Sequence, residues 1–156
     1  MAGTPRPFTK TEVAIANPII RIMSRVNTWA YRATNGRLGG KFRGGAPVML
    51  LTVTGRKTGR RHTLPLLYLR DADRIVTVAS KGGMDHHPLW YRNLAANPAV
   101  EVQIGAETTP MRARTASPAE KAALWPRLVA MYPDYAQYQQ RTTRDIPVVI
   151  LSPAGR

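Results

Sequence analysis

Val48-Met49-Leu50-Leu51-Thr52-Val53-Thr54 is the stretch that decides the architecture. It is a nearly continuous apolar run, closed by Gly44-Gly45-Ala46-Pro47 on one side and Gly55 on the other. A run this short, rich in side chains that suit a pleated surface and bounded by turn residues, predicts a strand buried on both faces. Working outward, Thr63–Arg70 and Arg74–Ser80 flank Asp71-Ala72-Asp73, which reads as a hairpin turn. Ala99–Ile104 and Thr108–Ala113 form a second hairpin through Gly105-Ala106, with Val100, Val102 and Ile104 alternating against polar neighbours. Ile146–Leu151 is a last strand. Six strands joined mainly by antiparallel hairpins, with helices between them, predict a small β-barrel of the α+β class. No internal repeat is visible.

The helices are read from caps and periodicity. Residues 1–11, with Thr4-Pro5-Arg6-Pro7, read as an arm. Asn17-Pro18 predicts an N-cap followed by proline in the first turn. Ile19, Ile22, Met23, Val26, Trp29 and Ala30 then recur at helical spacing, while Arg21, Arg25, Thr28 and Arg32 occupy another face. This basic amphipathic helix is expected to lay its apolar face on the sheet; lying on an anionic membrane surface is the less frequent use of the pattern. Residues 36–47 form a basic, glycine-rich loop. Pro88–Leu94 reads as a short helix stopped by Asn97-Pro98. Ser117-Pro118-Ala119-Glu120 is a capping box, with Leu124, Trp125, Leu128 and Tyr132 facing inward and Pro126 expected to kink or interrupt the helix. Asp134–Thr142 adds a further turn or two. The chain divides into an arm and helix over 1–35 and a barrel over 36–156, within one globular domain.

Composition narrows the chemistry. The 156 residues hold 23 Lys or Arg against 9 Asp or Glu, a net charge of +14, and no Cys. Disulfides, thiolate metal sites, iron–sulfur ligation and cysteine nucleophiles are excluded. No run approaches the roughly 18 apolar residues of a membrane span, and the first residues lack a secretory signal, so a cytoplasmic protein is expected. Twelve of the 23 basic residues but only one acid, Glu12, fall within the first 61 positions. Such asymmetry favours an anionic partner: nucleic acid, acidic lipid or a small polyanion.

Three constellations stand out. Thr54-Gly55-Arg56-Lys57-Thr58-Gly59-Arg60-Arg61 follows the buried strand with two glycines and four cations, a pattern that fits either a phosphate cradle or an ordinary basic hairpin turn; it lacks Walker spacing. Ala79-Ser80-Lys81-Gly82-Gly83 closes a strand with small residues that admit a flat ligand, and is followed by His86-His87. Adjacent histidines without a third ligand argue against metal, and both are expected in a solvated loop. Tyr132, Tyr135 and Tyr138 crowd one segment, where they could pack together or flank a planar substrate and donate a proton. There is no Ser/His/Asp order, nucleophile elbow or paired carboxylate. Chemistry carried by a bound cofactor fits this inventory best.

Taken together these blocks resemble the deazaflavin (coenzyme F420)-dependent nitroreductase and quinone reductase family. The likeness runs from about Gly36 to Pro153 and rests on Leu50–Gly59, Pro65–Asp71, Val78–Gly83, Pro88–Leu94 with Asn97-Pro98, and Met131–Tyr138. It implies a split β-barrel that takes reduced coenzyme F420 as hydride donor to quinones, nitro-aromatics or activated alkenes such as enones. FMN is a less favoured cofactor. On these residues, the resemblance implies that Arg56, Lys57, Thr58, Gly59, Arg60 and Arg61 hold the cofactor phosphate and begin the path of its glutamate tail. Leu50, Leu51 and Thr52, then Val78, Ala79, Ser80 and Lys81, then Leu89, Trp90, Tyr91, Arg92 and Asn93 would surround the ring. Tyr132, Tyr135 and Tyr138 would wall the substrate, Tyr135 also lying near the cofactor, with Tyr135, Tyr138 and Ser80 as catalytic candidates. The resemblance also implies peripheral attachment to the inner face of the cell membrane through residues 17–32. Asp85-His86-His87, where many relatives carry a basic residue, and Thr143, where an Asp is common, depart from the pattern. The rivals are a basic nucleic-acid-binding module and an FMN-binding split barrel; nucleic acid is not expected, because the aromatics are not interleaved with the cations.

Overall fold

A computed structural model of the chain describes residues 6–155, except for the side chains at positions 13, 15, 16, 17, 19 and 20. Thr4, Pro5 and the side chains of Asn17 and Ile19, used in the sequence reading, lie outside the described residues.

The run at 48–54 is β1 (Val48–Thr54), and Val48 to Leu51 are all buried. It pairs antiparallel on one side with β2 (Arg61–Leu67) and on the other with β5 (Ala99–Ile104). β5 continues into β6 (Glu107–Thr115), which pairs with β7 (Val148–Pro153). β7 pairs in turn with β4 (Arg74–Val78), and β4 with the short β3 (Leu69–Asp71). The order is β2-β1-β5-β6-β7-β4-β3. Its two edge strands are neighbours in the chain, separated only by Tyr68, so the sheet must curl until its edges approach. Thr77 Oγ1 donates to Leu67 O at 2.8 Å, and the Tyr68 N–H donates to Pro47 O at 3.1 Å, holding that seam. The result is an α+β split β-barrel with seven strands rather than the six expected. The stretch read as one strand, Thr63–Arg70, breaks at Tyr68 because its first part serves β1 and its last part serves β4.

Alternation sorts the strands onto two cores. Met49, Leu51 and Val53 of β1 point into the barrel with Val100, Val102, Met111, Val149 and Leu151. Val148 and Ile150 of β7 and Val76 and Val78 of β4 face the other way, against Leu124 and Leu128 of α3 (Pro118–Met131) and Tyr135 of α4 (Asp134–Arg141). β7 and β4 are therefore clothed on both faces, which is why they read as apolar runs. α2 (Leu89–Ala96) sinks Trp90 and Leu94 into the barrel core.

α1 (Lys10–Thr34) departs from expectation twice. It begins at the Thr9 cap, not at Asn17-Pro18. The Thr9 hydroxyl accepts the Glu12 N–H at 3.2 Å while the Glu12 carboxylate accepts the Thr9 N–H at 2.8 Å, so two orphan donors of the first turn are satisfied reciprocally. Pro18 lies inside the helix. The helix also docks with its polar side. Thr28 and Tyr31 are buried, and the Tyr31 hydroxyl accepts the Gly105 N–H at 2.9 Å and donates to Gln103 O at 3.3 Å. The apolar stripe expected to meet the sheet faces out instead: Ile22, Met23, Val26 and Trp29 are between 60% and 72% exposed. Tyr31 wins the inner face because its ring fills the space over Val48 and Leu50 while its hydroxyl completes the β5–β6 turn. In α3 the Ser117 capping box forms as read, and Pro126 is accommodated without interrupting the helix. No helix among the described residues is long and apolar enough to cross a membrane.

Candidate active site

The basic turn after β1 is shaped by its own backbone and by α2. Gly55 N–H donates to Arg60 O at 2.7 Å and Gly59 N–H to Gly55 O at 2.9 Å, with Gly59 at φ +68° where a side chain would be strained. The buried Asn93 amide oxygen accepts both the Arg56 N–H at 3.2 Å and the Arg56 guanidinium at 3.1 Å. Asn93 thus moors the turn on α2. Lys57, Thr58 and Arg60 are exposed, and neither Lys57 nor Arg60 makes an ion pair among the described residues. Arg61 is paired with Glu101 of β5. Three cations are left concentrated at one rim.

At the other end of α2 lies the turn that follows β4. Val78 and Ala79 are buried, and Ser80, Lys81 and Gly82 are half-buried. Gly83 is enforced by contact: at φ +80°, a Cβ there would come within 2.5 Å of the Tyr138 carbonyl oxygen of α4. Arg144, from the segment between α4 and β7, straps this turn. Its Nη1 donates to Ala79 O at 3.1 Å, its Nη2 to Ser80 O at 2.9 Å and its Nε to Met84 O at 3.1 Å. Nη1 also lies 2.9 Å from His87 Nδ1; a guanidinium only donates, so His87 accepts there and keeps its ring proton on Nε2. Burial, with the charges of Arg144 and Arg92, holds His87 below its ordinary pKa, and burial lowers that of Arg144. Neither histidine is merely solvated: His87 stacks at a tilt on Tyr91, centroids 4.9 Å apart, and His86 is bonded on both ring nitrogens.

α2 is the ruler between the two ends. Leu89, Arg92 and Asn93 stand at i, i+3 and i+4, and Leu89 and Asn93 are about 6 Å apart along the axis at ~1.5 Å per residue. Leu89 and Arg92 are exposed, whereas Trp90 belongs to the barrel core and the Tyr91 hydroxyl bonds Thr115 at 2.8 Å. Leu50 and Leu51 are buried, Leu50 under Tyr31 and Leu51 inside the barrel, so any ligand there meets backbone rather than these side chains. Thr52 shares a hydroxyl contact with Thr63 at 2.8 Å, and Arg32 of α1 donates to Thr63 at 2.9 Å.

The tyrosines form one cluster. Tyr132 and Tyr135 meet edge to face with centroids 5.0 Å apart, and the Tyr132 and Tyr138 hydroxyls are 3.1 Å apart. Tyr135 is 4% exposed and packs within the second core, where burial pushes its phenol well above the ordinary value; Tyr132 is raised by burial and by its bond to Tyr138. Tyr138 alone of the three is half-exposed. Sequence reasoning missed Arg144 and Asn93's mooring role, because both act through contacts between distant segments and neither carries a spacing signal. No group of three metal-ligating side chains occurs among the described residues.

The family model described as F420H(2)-dependent quinone reductase matches residues 23–153. A Mycobacterium tuberculosis protein is 46% identical over 117 residues, spanning 75% of this chain and 98% of its own length. An F420H(2)-dependent quinone reductase from the same organism is 42% identical over 131 residues, 82% of this chain and 88% of that protein. Among solved structures, an F420-H2 dependent reductase (FDR-A) superposes with a TM-score of 0.64 at 42% identity over 68% of this chain and 94% of that one. A chain described as a domain-swapped dimer aligns with a TM-score of 0.67 at 35% identity, covering 92% of this chain and all of that one. The family model covers most of the chain, including every strand of the barrel, and this chain belongs to the F420H(2)-dependent quinone reductase family, a family of oxidoreductases.

Proposed function

We propose that this chain reduces quinones with hydride from reduced coenzyme F420. The observation that carries the reading is the rim at Arg56, Lys57 and Arg60, moored through Asn93 to the helix that follows the Ser80–Gly83 turn in the chain. The donor set fits the cofactor: exposed cations suit a phosphodiester and carboxylates, and the Leu89 side chain with the Val78–Lys81 backbone suits a flat apolar ring. Arg56, Lys57, Thr58, Gly59 and Arg60 would grip the phosphate, and Arg61, Thr52 and Thr63 would border its tail. Val78, Ala79, Ser80, Lys81, Leu89, Tyr91 and Arg92 would border the ring. When bound, the cofactor supplies the hydride; the chain supplies grip, orientation and a water-poor wall. Tyr138, half-exposed beside Tyr132, is the phenol best supported on the substrate side, and Ser80 stands at the turn itself. Tyr135 supports that wall from behind. Nitro-aromatics and enones share the electrophilic carbon or nitrogen that hydride addition needs, and belong to the same reading as alternative substrates.

Titration of the purified chain with coenzyme F420, FMN and FAD, followed by cofactor fluorescence, tests this. Tight binding of F420 alone is expected, and Arg56→Ala with Lys57→Ala should weaken it more than tenfold, since each charge-assisted contact is worth about 1.5–3 kcal/mol. Unchanged affinity in the double variant, or preference for FMN, would overturn the assignment.

A second reading concerns attachment. Ile22, Met23, Val26 and Trp29 project from α1 beside Arg21, Arg25 and Arg32, the pattern that seats a helix in an anionic bilayer surface. Flotation with anionic vesicles should carry the full chain, and Val26→Ser with Trp29→Ser should abolish it. A stable dimer in sedimentation that disappears in the same variant would instead assign the stripe to a second copy.

A further inference from the structure

The departure at Asp85-His86-His87 forms a connected row with Lys81. Lys81 Nζ lies 2.8 Å from His86 Nε2, and His86 Nδ1 lies 2.8 Å from Asp85 Oδ1. An ammonium has only N–H bonds to offer, so Nε2 accepts, the ring proton sits on Nδ1, and it is donated to the Asp85 carboxylate. The row runs inward from water: the Asp85 side chain is 88% exposed and that of His86 is 43% exposed, while Lys81 is half-buried. Lys81 itself stands at φ +44°, directly before Gly82 and Gly83, which share that left-handed region. A glycine would hold this conformation without strain, so the turn carries an amine where its backbone would favour none.

The surroundings tune that amine. Arg21 of α1, Arg92 of α2 and Arg144 of the segment before β7 face it, Arg141 of α4 donates to Gly82 O at 3.3 Å, and Asp85 is the acid that offsets them. Desolvation and these cations both disfavour a full ammonium, which makes Lys81 a readier acid than an exposed lysine. Tyr135, by contrast, is buried and made a poorer acid.

We propose that Lys81 delivers the proton consumed in quinone reduction, and that His86, oriented by Asp85, reloads it from solvent. This rests on the functional reading above. Hydride addition gives a quinone two electrons and one hydrogen; a second hydrogen must arrive at oxygen as a proton. The Nζ–H bond breaks as the O–H bond forms, leaving a neutral amine. The neutral amine then turns a lone pair towards His86 Nε2, which takes a proton from solvent, the Asp85 carboxylate stabilising the imidazolium, and passes it to Nζ, restoring the ammonium. Hydride from the cofactor and a proton from water balance the step, and no other reactant is needed.

His86→Ala tests the row because His86 is outside the residues assigned to cofactor grip. Cofactor affinity should stay within twofold, turnover on a soluble quinone should fall at least tenfold on the alkaline side of the parent's pH profile, and added imidazole should restore it. Asp85→Asn should give a smaller loss of the same shape. In the cofactor-free chain, side-chain nitrogen NMR should show His86 as the Nδ1–H form, and Lys81 should titrate below the ordinary lysine value in the parent and shift in His86→Ala. A pH profile that coincides with the parent's, or a lost rate that imidazole leaves unrestored, would overturn the proposal. Failure of the unsubstituted chain to bind F420 is read separately by fluorescence, and removes the functional reading on which the proposal stands.

Discussion

α1 and α3 are built from the same local instructions and end with opposite faces buried. Each opens with a capping box, Thr9 with Glu12 and Ser117 with Glu120, and each carries a proline nine residues after its cap, Pro18 and Pro126. In α3 the apolar residues Leu124 and Leu128 enter the core against β4 and β7. In α1 the apolar stripe from Ile22 to Trp29 points outward and the polar-rich side carrying Thr28 and Tyr31 docks on the barrel. Amphipathicity therefore specifies that a helix has two faces, but which face meets the protein is set by the surface it lands on. β1 offers α1 a narrow apolar strip at Val48 and Leu50, which one tyrosine ring covers.

The largest effect that would break this contrast is in α3. Leu128→Ala should destabilise the fold by about 2–5 kcal/mol in chemical denaturation, because the side chain is fully buried between sheet and helix. Val26→Ser or Trp29→Ser in α1 should change the same midpoint by no more than about 0.5 kcal/mol. Equal costs in the two helices would mean that a second copy covers the α1 stripe in solution. Tyr31→Phe comes next, at about 1–3 kcal/mol, since it strands the Gly105 N–H beneath the helix and unties α1 from the β5–β6 turn. Its loss should appear as faster amide exchange at Gly105 as well as in the denaturation midpoint.

What was legible in the sequence follows the same divide. β1, the β5–β6 hairpin and β7 could be read because two-sided burial or strict alternation leaves its mark in composition. The break at Tyr68 could not, for Pro65-Leu66-Leu67-Tyr68-Leu69 contains no residue that stops a strand at that point, and only closure of the curled sheet requires it. The start of α1 was written in Thr9-x-x-Glu12, yet Asn17-Pro18 imitates the same signal and outweighed it. The cationic rim at Arg56–Arg61 was visible as a cluster. Its mooring on Asn93 and the strapping of the Ser80 turn by Arg144 depend on segments brought together from 37 and 64 residues away, and no local pattern encodes either.

The caps sharpen the comparison at its smallest scale. Ser117→Ala should cost about 0.5–2 kcal/mol of global stability, because α3 cannot fray without exposing the second core. Thr9→Ala should leave the midpoint nearly unchanged and show itself only as faster exchange in the first turn of α1. Acid separates the two in the same way. Both glutamates are held down to about 2, Glu12 chiefly by Arg6 and the Thr9 N–H, and Glu120 chiefly by Arg114 and the Ser117 N–H. A carboxylate whose folded pKa is depressed contributes stability that is complete above the ordinary glutamate value and is lost as pH falls through about 2. Glu120→Gln keeps an acceptor for the Ser117 N–H but removes the charge, so its midpoint should lie below the parent's near neutral pH and meet it at the acid end. Glu12→Gln should show no such convergence in the midpoint, only in the exchange of the α1 first turn. A global, pH-dependent loss from Glu12→Gln would show that α1 is coupled to the barrel along its whole length, rather than anchored at Tyr31.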